Sequence, residues 1–96
     1  MATFIALLDY TDQGIRNIKD SPHRADHFNK IAEQADARIV GQYWTIGSHD
    51  GVLILEAPND EVAASILLRL AALGNVRTTT LRAFEWADAQ DLIEAD

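Results

Sequence analysis

The chain has no cysteine among its 96 residues. That excludes disulfides, thiolate nucleophiles and cysteine-bound zinc or iron–sulfur centres. Positive charge is scarce too: eight Lys and Arg stand against fifteen Asp and Glu, a formal net charge of −7. A nucleic-acid binder needs a basic footprint, and an anionic membrane surface attracts basic segments, so neither partner is expected. No apolar run approaches the length of a membrane span. The opening MATFIALLDYTD lacks the basic n-region of a signal peptide, so a cytoplasmic protein is expected. No linker, repeat or low-complexity segment interrupts the chain. We read one domain over residues 1–96, in which 85–96 form an acidic C-terminal segment. A domain of this size has a thin stability margin.

What is present is a regular succession of elements. Thr3–Asp9 (TFIALLD) reads as a first strand, and Thr11–Asp20 as a short helical turn. Ser21 suits an N-cap and Pro22 the first helical position. The helix they open runs to about Asp36, with Phe28, Ile31, Ala32 and Ala35 on one stripe. Arg38–Ile46 reads as a second strand and Gly47–Gly51 as a glycine-bounded turn into a third, Val52–Ala57. Pro58-Asn59-Asp60-Glu61 signals a helix start, Gly74-Asn75 its stop, and Val76–Phe84 a fourth strand. Trp86–Ala95 reads as either a short helix packed by Trp86, Leu92 and Ile93 or a frayed tail.

The order β-α-β-β-α-β predicts an α+β, ferredoxin-like domain with a four-stranded antiparallel sheet. In that topology strands one and three are central. They are also the most uniformly apolar strands, whereas the polar residues gather in strands two and four. Two helices cover one sheet face. If water covered the other, strands one and three would alternate polar and apolar. They do not. Four or five large side chains therefore lie on the open face, worth about 1.5–3 kcal/mol each when buried. A second copy of the chain is the expected cover, giving a homodimer or higher homo-oligomer with sheet packed on sheet.

Candidate chemistry is sparse. His49 and Asp50, in the turn, are the candidate catalytic residues: an imidazole at a pocket mouth can shuttle protons. Equally, Ser48 and Asp50 suit turn hydrogen bonds, with His49 an exposed tip. Tyr43 and Trp44 point to opposite faces of strand two, and one of them lines the open face. Thr78, Thr80 and Arg82 share one side of strand four, where an arginine would anchor a carboxylate or phosphate. These five are the candidate ligand-binding residues for a small organic molecule. His23 and His27 have the i, i+4 spacing of a helical metal site, but they lie off the apolar stripe and lack an evident third ligand. No metal or other cofactor is expected.

TDQGIRNIKDSPHRA, YWTIGSHDGVLILEAPND and AALGNVRTTTLRAF, in that order, resemble the GYD-domain family of small bacterial and archaeal proteins. The resemblance covers residues 3–84. It implies a ferredoxin-like domain related to the dimeric α+β barrel proteins. That wider group includes monooxygenases, isomerases, haem-dependent enzymes and ligand-sensing regulatory domains. The GYD family itself has no settled activity. Its name reflects a Gly-x-Tyr-Asp stretch, which here reads Gly47-Ser48-His49-Asp50, so the resemblance carries no phenol to this position. Two readings stay open. One is a non-catalytic assembly or sensing protein with a small-molecule pocket at the sheet–sheet interface. The other is an enzyme of the dimeric α+β barrel type, monooxygenase- or isomerase-like, with His49 in proton transfer.

Overall fold

The stretch GVLILEA has the β-branched and aliphatic residues that pleated backbone favours. In the computed structural model, which describes residues 1–95, it forms a central strand. The elements are β1 (Ala2–Tyr10), α1 (Asp12–Arg16), a 3₁₀ turn (Ile18–Asp20), α2 (Ser21–Gln34), β2 (Arg38–Trp44), β3 (Gly51–Ala57), α3 (Asp60–Ala72), β4 (Val76–Ala83) and α4 (Trp86–Glu94). The sheet order is β2-β3-β1-β4, with every neighbouring pair antiparallel. This is the ferredoxin-like arrangement, with the two apolar strands in the middle. The short axis of the molecule, 17 Å, accommodates two layers, the sheet and its helices.

Strand alternation sorts the side chains between the two faces. Phe4, Ala6, Leu53, Leu55 and Ala57 turn toward the helices and are buried. Phe28 and Ala32 of α2, with Ala63, Ile66 and Leu67 of α3, complete that core. Of the stripe read from the sequence, Phe28, Ala32 and Ala35 are packed, while Ile31 lies outside the core. The opposite parity, Ile5, Leu7, Val52 and Ile54, lies on the face without helices. Cross-strand pairing adds Leu81 beside Ile5 and Tyr43 beside Val52. An extra residue, Val40, bulges β2 between Ile39 and Gly41. Gly41 also leaves space for Ile54, whose Cδ1 lies 3.1 Å from where a Cβ would stand.

Helix ends follow local chemistry, with one correction. Thr11 caps α1 by accepting from the Gly14 amide, and Asn59 caps α3 by accepting from the Val62 amide. Gly74, at φ +84, ends α3 in the left-handed conformation glycine tolerates. Ser21, however, is not the N-cap of α2. The helix begins at Ser21 itself, Asp20 occupies the cap position, and no side chain caps it. The reason is tertiary: Ser21 is only 8% exposed, and its hydroxyl is held by side chains of β1 and β2.

The C-terminal segment is helical, but it does not pack as expected. Trp86, Leu92 and Ile93 are 79%, 58% and 83% exposed, and α4 has no buried residue. The core is completed by α2 and α3 without it.

Candidate functional site

The turn after β2 is built on β1. Gly47, at φ +120, lets the chain reverse. The Thr45 amide donates to the Asp50 carbonyl (3.0 Å), and the Thr45 hydroxyl donates to the His49 carbonyl (2.7 Å). Asp50 then locks the turn to the neighbouring strand. Its amide donates to the Leu8 carbonyl at 2.8 Å, and its Oδ2 accepts from the Tyr10 amide at 2.8 Å. Asp50 thus satisfies the backbone where the β1–β3 ladder ends at Leu8 and Gly51.

His49 takes its carboxylate partner from elsewhere. Its Nδ1 lies 3.2 and 3.3 Å from the two oxygens of Asp9. Asp9 sits opposite Arg77 and shares the parity of Ile5 and Leu7. The His49–Asp9 pair therefore borders the open sheet face. Asp9 was not visible as a partner in the sequence, since the pairing spans 40 residues and depends on how the turn docks.

The concave site lies on the other face. A cavity of about 60 Å³ opens between the C-terminal ends of β1 and β2, the first turns of α2 and the end of α3. That is room for a few water-sized groups. Leu8, Phe28, Leu53 and Leu70 supply apolar wall, while Tyr10, Ser21, Arg24, Trp44 and Asp50 supply polar groups. Trp44 Nε1 donates to Tyr10 Oη (3.1 Å) and Ser21 Oγ (3.0 Å), and the two hydroxyl oxygens are 2.9 Å apart. Arg24 donates from Nη1 to the Asn17 carbonyl at 2.9 Å. Its Nη2 is buried and has no acceptor among the described residues.

Of the residues singled out in the sequence, Trp44 and Asp50 meet at this cavity, and Tyr43 borders it from β2 although its register beside Val52 places it on the open face. Thr78, Thr80 and Arg82 share the helix-facing side of β4, opposite Leu8, Ala6 and Phe4, and do not line it. Arg82 is engaged elsewhere. Its guanidinium lies 4.4 Å from the Phe84 ring centre and 5.4 Å from that of Phe4, and it donates to the carbonyls of Thr3 and Ala83. That is stacking on an edge strand. His23 and His27 are exposed on α2. Sequence reasoning missed Tyr10, Ser21 and Arg24. A signal existed for two of them: Ser21, Arg24 and Phe28 recur at helical spacing, so all three share the inward face.

The family model described as the GYD domain matches residues 4–93. The chain is also similar to the glutamine synthetase and cystathionine beta-lyase binding protein of Thermus thermophilus. The two are 37% identical over 89 residues, which span 92% of this chain and 94% of the relative.

Proposed function

Because the chain belongs to the GYD-domain family, we propose that it is a small non-catalytic binding protein, working as a homodimer that docks on other proteins. The observation that carries the reading is the open sheet face. Ile5, Leu7, Val52 and Ile54 form its centre, and among the described residues no helix covers them. The four are already half-buried within the chain, so covering what remains exposed is worth at most about 2–4 kcal/mol.

Charge favours a second copy as the cover. The chain carries −7 overall, but this face is balanced. Arg38 and Glu56 form an ion pair at one end, 2.6 Å apart, and Asp9 stands opposite Arg77 at the other. A balanced, apolar patch on an acidic molecule is where two copies meet with least repulsion. A two-fold axis makes such a patch self-complementary. The exposed Trp86, Leu92 and Ile93 of α4 give each copy further apolar surface beyond its own core.

Docking on other proteins is supported by the similarity to a protein named for binding two enzymes. Sedimentation equilibrium of the full chain, followed by titration with purified glutamine synthetase and cystathionine beta-lyase, tests both parts. A dimer that binds either enzyme is the expected result. A chain that stays monomeric at every concentration overturns the assembly, and a dimer that binds neither enzyme overturns the docking.

A second reading is catalytic, and the His49–Asp9 geometry favours it. A carboxylate on Nδ1 fixes the imidazole and leaves Nε2 for proton transfer. Here the pair borders the sheet face, so a substrate would sit at the rim of the dimer. Any turnover found must fall in His49→Ala and be altered in Asp9→Asn. Unchanged turnover in both variants removes this reading.

A further inference from the structure

We propose that the cavity between the sheet and α2 binds a small amino acid as its zwitterion, with the carboxylate at Arg24 and the hydroxyl cluster and the ammonium at Asp50. Donors and acceptors in this corner do not balance. Trp44 Nε1, Tyr10 Oη and Ser21 Oγ lie within 3.1 Å of one another. The indole hydrogen is shared between the two oxygens, and one hydroxyl hydrogen lies between those oxygens. The other hydroxyl hydrogen has no acceptor among the described residues. Either hydroxyl can donate within the pair, so the spare hydrogen belongs to Ser21, which is 8% exposed, or to Tyr10, which is half-buried. The corner thus holds a spare O–H donor.

Arg24 repeats the pattern with full charge. Its Nη2 is buried without an acceptor, and no carboxylate of the described residues lies within ion-pair distance of it. Other arginines also lack an ion pair among the described residues, but Arg24 differs from them in that its unpartnered nitrogen is buried. It also adds to the positive end of α2, where Asp20 occupies the cap position without a side-chain cap bond and the first turn holds no acidic residue. Two kinds of donor, one hydroxyl and one cationic, line the same small cavity. They suit a carboxylate.

Asp50 decides what kind of carboxylate. It lines the same cavity, and among the described residues only its Oδ2 is engaged, by the Tyr10 amide. A plain carboxylate would meet that negative charge. An amino acid meets it with an ammonium group. The volume, about 60 Å³, limits the enclosed part to a few heavy atoms, and the apolar wall of Leu8, Phe28 and Leu53 suits a short aliphatic side chain. The cavity lies within one chain on the helix-covered side, so the inference is independent of dimerisation and of docking.

The test is calorimetric titration of the full chain with L-alanine, with propionate as the probe lacking the ammonium. The expected result is saturable binding of alanine at one per chain, with propionate weaker by about tenfold or more. Arg24→Met should weaken alanine binding by about the same factor, with circular dichroism checking its fold. If Arg24→Met does not fold, the alanine–propionate contrast in the unaltered protein still decides. No saturable binding of alanine overturns the site. Equal binding of alanine and propionate overturns the assignment of Asp50. Unchanged alanine binding in a folded Arg24→Met overturns the assignment of Arg24.

Discussion

Replacing Ile54 by aspartate puts a carboxylate at the middle of the open sheet face. Ile54 pairs with Ile5 on β1 and with Gly41 on β2, and it lies outside the buried core. In a two-fold dimer each substitution occurs twice. Ile54 is already half-buried in its own chain, so the dimer buries at most about a third of it, about 0.5–1 kcal/mol per copy and about 1–2 kcal/mol for the pair. At 1.4 kcal/mol per factor of ten, that loss alone raises dimer dissociation by about 5–30-fold. Burying the new carboxylates weakens it further. The isolated fold should survive. A strand substitution of this kind costs about 1 kcal/mol, or about 4–8 °C in Tm for a domain this small. Sedimentation equilibrium gives the dissociation constant, and thermal circular dichroism gives the fold. A variant whose dimer constant matches the parent refutes the assignment of this face. So does a variant that unfolds outright, because Ile54 would then belong to the monomer's core.

Three further outcomes follow from particular contacts. Asp50→Ala removes the acceptor of the Tyr10 amide and should lower stability by about 1.5–3 kcal/mol, with Asp50→Asn recovering part of it; urea unfolding measures both. Gly14→Ala should destabilise although alanine is the better helix former by about 1 kcal/mol, because the new Cβ would stand 1.9 Å from the Asn75 carbonyl oxygen. A Tm below that of the parent confirms the clash, and a higher one refutes it. Leu53→Ala, at a position 1% exposed in the core, should cost about 2–5 kcal/mol in denaturant unfolding, a large share of the stability of a small domain.

The identity and order of the main elements were legible in the sequence because they are written in local patterns. The stripe Phe28, Ile31, Ala32, Ala35 has helical period. Asn59 precedes a helix it can cap, and Gly74 follows one it can end. The apolar runs in β1 and β3 disclosed central strands even before pairing was known, because only central strands are screened on both edges. These are nearest-neighbour properties, and a chain carries them wherever it folds.

The site was not legible in the same way. Which parity of β1 and β3 faces the helices depends on how the helices land, and nothing local distinguishes Leu53 from Ile54. The partner of His49 is Asp9 rather than the adjacent Asp50, since successive residues in a turn diverge while β1 passes beside it. Ser21 has the local signature of a helix cap, yet tertiary contacts with Tyr10 and Trp44 take its hydroxyl instead. Arg82 carried the signature of an anion anchor, and its stacking on Phe4 and Phe84 engages it elsewhere. The amino-acid sequence by itself determined the elements, their order and the apolar character of both sheet faces, since these follow from side-chain type and period. Only the tertiary structure decided which polar groups meet, because hydrogen bonds act over about 3 Å and the residues that make them lie up to 40 positions apart.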